Sequence, residues 1–222
     1  MIIWLASFPR SGNSFFRVVS RTVFGREIYS VYAEKYAPAD SKTLQEMDLD
    51  NELHLIKTHE MPSDANPAIY LVRDGRDALV SLAWYNLRDY VEPDQIISEK
   101  VFQEELKKQI LSSMYGGWSN NFLAWTQRRE QTVVVHFDHL ITQPEQTVAN
   151  AFKMVGIDLK REGKGNLPSF EDLHARNPSL YRKGKVGDWQ TYMSDELHDL
   201  FWDEHGDAMK MLGFMHKNEL NT

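Results

Sequence analysis

The chain has 222 residues, with 25 Lys and Arg against 32 Asp and Glu, a formal net charge of −7, and no cysteine. This length holds one α/β domain with a full core, and a single domain over residues 1–222 is the expectation. An acidic chain lacks the excess of Lys and Arg that displaces counterions from nucleic acid or from an acidic membrane, so any anionic ligand must meet local basic clusters. The missing thiols remove disulfides, thiolate nucleophiles and Cys-ligated metal centres. No basic segment or cleavage site precedes the apolar residues 2–6, and no stretch approaches membrane-spanning length, which predicts a soluble cytoplasmic protein that binds neither membrane nor nucleic acid.

Ile2 to Ala6 is short, apolar and bounded by turn residues, as a buried parallel strand is, and Phe15, Val18, Val19 and Thr22 then recur at helical spacing. The segment SFPRSGNS (7–14) joins the two. Further strands are expected at LHLIKT (53–58) and AIYLV (68–72), followed by a helix over 76–90 with Leu79, Leu82, Ala83 and Leu87 on one side. Helices at about 98–112 and 116–130 precede the β-branched run TVVVHF (132–137), which reads as a strand. Pro144 opens a helix that Gly156 stops, residues 160–168 and 176–189 read as loops, and an amphipathic helix runs from about Ser194 to Leu212. Alternating strands and helices of this kind build an open, mostly parallel sheet covered on both faces.

In such sheets ligands sit at the carboxyl ends of the strands, and three exits read SFPRSGNS, KTH and RDGRD. The first places Gly12, Asn13 and Ser14 at a helix start, where unpaired N–H groups and the positive dipole end favour an anion, with hydroxyls from Ser11 and Ser14 and a fixed charge from Arg10. Aligned on a Walker A loop, Ser7 and Gly12 take the glycine positions, Ser14 the final hydroxyl, and Asn13 stands where the lysine belongs. The loop therefore suits a phosphate-like group but not the Walker pattern.

In order along the chain these segments resemble the cytosolic-type sulfotransferases that use 3′-phosphoadenosine 5′-phosphosulfate (PAPS). SFPRSGNSF resembles their 5′-phosphosulfate loop, IKTH (56–59) the strand ending in Lys, Thr and His, and YLVRDGRDALVS (70–81) the 3′-phosphate segment. MYGGWSNNFLAW (114–125), Ser169–Phe170 and RKGKVGDW (182–189) complete a resemblance that covers nearly the whole chain. It implies a P-loop-like three-layer α/β sandwich, with a mostly parallel central sheet flanked by helices, that transfers a sulfuryl group from PAPS to an acceptor hydroxyl or amine.

The resemblance also assigns roles. His59 is the general base, since a neutral imidazole takes a proton near neutral pH, and Lys57 and Arg10 neutralise charge that builds on the sulfuryl and bridging oxygens. Arg10, Ser11, Gly12, Asn13 and Ser14 hold the 5′ end, and Arg73, Ser81, Arg182, Lys183 and Gly184 the 3′-phosphate. Phe15, Phe137 and Phe170 line the adenine slot. The chain departs from the family pattern at Arg10, usually Lys, at Phe15, usually Trp, and at Phe137, commonly Tyr. No metal is required; His136 and His139 flank Asp138, but no third ligand follows by spacing. Adenosine 3′,5′-bisphosphate (PAP) is the leaving product, and the acceptor is a small molecule or a glycan.

Two alternatives stand beside this reading: a P-loop kinase, with Asp74 as a Mg²⁺-holding acid, and a PAP- or PAPS-binding relative with weak catalysis. Trp84, Tyr85, Trp118 and Trp125 either line an acceptor pocket or pack the core, and loops at about 33–52, 84–100 and 112–120 are expected to surround the acceptor. The family's short dimerisation motif is not evident, and the oligomeric state stays open.

Overall fold

A computed structural model describes residues 1–32, 43–90, 97–162 and 165–216. The expected acceptor loops at 33–52 and 84–100 thus lie partly outside the described residues. In chain order the elements are β1 (Ile2–Ser7), α1 (Asn13–Phe24), β2 (Tyr29–Ser30), α2 (Leu44–Leu49), β3 (His54–Thr58), β4 (Ala68–Val72), α3 (Gly75–Tyr90) and α4 (Glu99–Ile110). A 3₁₀ turn at Met114–Gly116 then leads into α5 (Gly117–Thr126), β5 (Thr132–His136), α6 (Phe137–Thr142), α7 (Pro144–Met154), α8 (Phe170–Arg176), α9 (Trp189–Tyr192) and α10 (Asp195–Met211).

The five strands form one sheet in the order β2-β3-β1-β4-β5, and every adjacent pair is parallel. The expected α/β architecture of a parallel sheet flanked by helices is therefore present. β1 and β4 are buried along their whole length, which is why both read as uninterrupted apolar runs, whereas β5 sits at an edge and alternates buried with exposed residues. Register fixes the site: Ala6 pairs with Thr58 and Ser7 with Leu71, so the carboxyl ends of β3, β1 and β4 lie side by side.

The chain forms two compact units. The first comprises residues 1–7, 11–72 and 124–168 and contains the whole sheet. On one face Ile3, Leu5, Leu55, Ile69, Leu71, Val133 and Val135 pack with Phe16, Val19 and Val23 of α1 and with Leu140, Val148 and Phe152 of α6 and α7. The Phe16 and Phe152 rings meet at 5.8 Å between centroids, and truncating either to Ala would cost about 3–5 kcal/mol. On the opposite face Tyr70 stacks on Trp125, whose indole N–H donates to the Glu60 carbonyl at 2.9 Å.

The second unit comprises residues 8–10, 73–123 and 169–216 of the described chain, with α3, α4 and α8 to α10 and most of α5. Ser98 and Ser194 cap α4 and α10, each accepting a backbone N–H three residues on. Within this unit α3 packs against α4, α9 and α10.

The structure differs from the sequence reading at several short segments, α2 and α9 among them. Phe137 opens α6 directly after β5 with no turn residue between them, so it is not the last residue of the strand. The helix expected to reach about residue 130 ends at Thr126. β2 is two residues long and was not legible as a strand. α8 is seven residues long, opened by a capping box of Ser169 and Asp172, and falls between segments that read as loops.

Candidate active site

β1 hands over to α1 through a loop with two residues at positive φ: Arg10 at 67° and Gly12 at 100°. A β-carbon at Gly12 would lie 2.9 Å from the Phe137 ring, so only glycine fits there. Arg10 in the left-handed region costs about 1–2 kcal/mol, the kind of strain that gathers at binding loops.

In the first unit, Asn13 turns its amide inward and donates to the Leu5 carbonyl and to Ser7 Oγ, both at 3.2 Å. Its side chain thus secures the end of β1, and what position 13 offers an anion is its backbone N–H in the first turn of α1. Ser11 is 1% exposed, and its hydroxyl has no hydrogen-bond partner among the described residues. A buried orphan hydroxyl in such a loop fits a ligand oxygen. Ser14 and Phe15 are half-buried on α1, and Phe15 packs against the core. Phe137 is buried against Gly12, so it supports the loop from behind.

Lys57 and His59 lie two residues apart where β3 ends, a spacing that sends both side chains to one side. His59 Nδ1 lies 2.7 Å from the Ser7 carbonyl, which only accepts, so Nδ1 carries the proton and the neutral ring has its lone pair on Nε2. That is the tautomer a general base needs. Burial, with a smaller contribution from Arg17, pulls the Lys57 ammonium down to about 8. Tyr32, which nothing in the sequence singled out, stacks on His59 at 5.8 Å and lies under Lys57 Nζ at 4.6 Å.

The second unit gathers the other candidates. Arg10 Nε donates to Ser81 Oγ at 3.2 Å, and its Nη2 to the Ser179 and Leu180 carbonyls at 3.1 and 2.8 Å, with the guanidinium 4.9 Å from the centre of the Tyr85 ring. Arg73 donates to the Arg10 carbonyl at 3.1 Å and to the Lys185 carbonyl at 2.9 Å. Arg10, assigned to the 5′ end, and Ser81 and Arg73, assigned to the 3′-phosphate, thus form one connected group. Gly184, at φ 60°, lies so close to the Phe170 ring that a β-carbon there would overlap it.

Basic groups crowd together around the 182–189 loop. Arg182 and Lys183 both pair with Asp188, and Lys183 Nζ also bonds the Tyr192 hydroxyl at 2.9 Å, which holds its pKa above the ordinary value. Arg73 lies 3.9 Å from Asp77, whose carboxylate accepts the backbone N–H groups of Gly187 and Trp189 and so ties the 182–189 loop to α3. Arg10, Arg73, Arg182 and Lys183 thus gather with Asp77 and Asp188, while Asp74, which also acts on Arg73, is paired with Arg76. Burial, then repulsion from Arg73 and from Arg182, pulls Arg10 down to about 10, while burial lowers Arg73. A polyanion would relieve that crowding. Asp77 and Asp188 were legible only as parts of RDGRD and RKGKVGDW, not as the residues that order the loop.

Asp74, the candidate Mg²⁺-holding acid, instead accepts from Arg76 through both oxygens, at 3.0 and 2.7 Å. Trp118 and Trp125 are each 1% exposed and serve as core; Trp84 stacks on Phe102 at 4.6 Å. Among the described residues, two groups have possible metal-ligand atoms within 4.8 Å of one another: His198, Asp199 and His216, and Asp50, Glu52 and His54. In the first, Trp202 donates to His198 Nε2, so the neutral ring carries its proton on Nδ1, the atom facing Asp199, and is not set as a ligand there.

A parallel sheet whose first strand hands over to α1 through a glycine-containing loop defines a P-loop-like α/β protein. Residues 2–213 match the sulfotransferase domain model, and the chain belongs to that family. It is 25% identical over 172 residues to mouse Sulfotransferase 1B1, covering 63% of this chain and 56% of that protein, and 25% identical to flavonol 3-sulfotransferase of Flaveria bidentis, covering 88% and 77%. Among solved structures it resembles mouse sulfotransferase SULT7A1 complexed with PAP, at 20% identity and TM-score 0.65 over 93% of this chain and 83% of that one. Retinol dehydratase in complex with androsterone and PAP matches with 18% identity and TM-score 0.61, over 98% and 83%. These structural likenesses bear on the fold.

Proposed function

We propose that this chain, as a single domain over residues 1–222, transfers the sulfuryl group of PAPS to a hydroxyl or amine of a small-molecule or glycan acceptor. The observation that carries the proposal is His59, whose Nδ1 is held by the Ser7 carbonyl so that Nε2 is the basic nitrogen, at the strand end beside the anion loop. His59 Nε2 takes the proton of the acceptor hydroxyl as its oxygen forms a bond to sulfur. Lys57, a cation at neutral pH, neutralises charge on the sulfuryl oxygens, and the bond from sulfur to the bridging oxygen breaks to release PAP. The loop at Ser11 to Ser14 receives the 5′ group through N–H groups and hydroxyls. Arg10, Arg73, Ser81, Arg182 and Lys183 receive the 3′-phosphate and the neighbouring charge, and Phe170 with Gly184 on its face offers a flat surface for adenine. The relatives' printed names, a flavonol sulfotransferase and a 3-alpha-hydroxysteroid sulfotransferase of Cavia porcellus among them, support a small hydroxylated acceptor. The names of the plant relatives, cytosolic sulfotransferases of Arabidopsis thaliana, support a cytoplasmic location, and no helix among the described residues is long and apolar enough to cross a membrane.

Thermal unfolding with PAP at about 100 times its Kd tests the donor site: stabilisation of about 2.7 kcal/mol is expected, a Tm rise of about 5–10 °C, with no rise from Mg-ATP. A rise with Mg-ATP alone would return the kinase reading. Transfer of labelled sulfate from PAPS to a panel of phenols, alcohols and amines tests the reaction; tight PAP binding without transfer would favour the weakly catalytic relative.

A further inference from the structure

Tyr32 follows the edge strand β2, where Tyr29 pairs with Ile56 and Ser30 with Lys57, and it reaches back over the end of β3. Its hydroxyl accepts the His59 backbone N–H at 2.9 Å and donates to Glu60 Oε1 at 3.0 Å. Its ring stacks on the His59 imidazole, 5.8 Å between centroids at an interplanar angle of 22°, and the same ring lies 4.6 Å from Lys57 Nζ. One side chain thus contacts both groups assigned to the transfer step, by stacking, cation–π attraction and a bond to the backbone between them.

We propose that Tyr32 is a positioning residue for sulfuryl transfer, holding the His59 backbone through its hydroxyl, and the His59 ring and the Lys57 ammonium through its own ring. The inference rests on the function proposed above. The hydroxyl fixes where the backbone of His59 lies, and the Ser7 carbonyl fixes how its ring is turned; with both ends held, Nε2 has one direction. The ring also covers one side of the Lys57 ammonium, 4.6 Å from Nζ. Among the described residues, the charged and titratable groups acting on Lys57 are Arg17 from α1 and Tyr32 from the end of β2, and His59 and Glu60 follow it in the chain. Burial holds the ammonium near 8, so rates fall as pH rises through that value; uncovering Lys57 moves the fall to higher pH.

The test compares Y32F and Y32A with the parent chain for transfer from labelled PAPS to one fixed acceptor drawn from the panel, with 2-naphthol tried first. In Y32F the ring remains and the hydroxyl is lost: kcat falls by about 3–10-fold, the PAPS KM stays within about twofold, and the alkaline limb does not move. In Y32A kcat falls by about 30-fold or more, PAP affinity is kept, and the alkaline limb moves up by about one pH unit. A tyrosine that merely packs β2 on β3 would alter stability without separating kcat from KM or moving the limb. Should Y32A fail to fold, Y32F carries the test through kcat alone. An active parent with both variants at parental kcat and an unmoved alkaline limb overturns this inference alone. A parent that transfers sulfate to no member of the panel overturns the proposed function, and this inference with it.

Discussion

His59 makes its hold on Ser7 through Nδ1 and offers its chemistry through Nε2, so the two roles separate by substitution. Asn at position 59 keeps a donor near the Ser7 carbonyl but removes the distal nitrogen. H59N is expected to retain PAP affinity within about twofold and to lose transfer by about 100-fold or more. Turnover at parental rate would remove His59 as the base. Arg10 poses a different question, because charge alone does not account for it. Its guanidinium reaches three acceptors and lies over Tyr85, with one carbonyl 170 positions away in sequence, and the fork that does so has no counterpart in lysine. R10K is therefore expected to weaken PAP binding and turnover together and to lower stability by about 2 kcal/mol, a Tm loss of about 4–8 °C. Higher turnover in R10K would mark the arginine as a cost. The sequence made Arg10, Lys57 and His59 legible as candidates because they sit at strand exits. It could not reveal that Arg10 serves the 176–189 segment, since that contact exists only once the chain has folded, nor that Tyr32 closes over Lys57 and His59, since an aromatic residue beside a two-residue strand has no pattern of its own.

At the scale of elements, what was legible followed length and periodicity. β4 was read to the residue, and β1, β3, α1, α3, α4, α7 and α10 within a few, because buried parallel strands are unbroken apolar runs and the longer helices show an apolar stripe. The elements missed, β2, α2, α6, α8 and α9, span two to seven residues, too short for a period to repeat; they exist through caps and tertiary contacts. The 182–189 loop behaves as an element despite having no regular structure along most of its length. Asp77 holds it through Gly187 and Trp189, Asp188 gathers Arg182 and Lys183, and Gly184 lies against Phe170. A methyl group at position 184 would force the Phe170 ring aside and strain a backbone at φ 60°. G184A is expected to fold with a stability loss of about 1–2 kcal/mol and to bind PAP about 10-fold more weakly, measured by calorimetry. Unchanged PAP affinity would show that this loop and the Phe170 face do not meet the nucleotide.

For the molecule as a whole, stability against pH depends on groups far from any chemistry, and His205 on α10 is one of them. It is 6% exposed, its Nε2 lies 3.1 Å from the Ile110 carbonyl, and the Ser119 hydroxyl meets Nδ1. The carbonyl only accepts, so Nε2 carries the proton of the neutral ring and Ser119 donates to Nδ1. A second proton would have to displace that bond inside the core, and burial pulls the pKa down to about 4 from 6.5. The unfolded chain therefore takes up the proton first. This contribution is fully present above pH 6.5 and is lost as pH falls toward 4, amounting to roughly 3 kcal/mol at the end of the window. Against a total of about 5–15 kcal/mol for a typical domain, that loss is substantial. Glutamine at this position can still donate to the Ile110 carbonyl and does not titrate. Urea unfolding of the parent and of H205Q at half-unit steps from pH 7.5 to 4.5 should show the parent more stable at the upper end and the two curves converging as pH falls. Carboxylates titrate alike in both proteins and cancel in the difference, so a constant gap over the whole range would mean that His205 does not control acid stability.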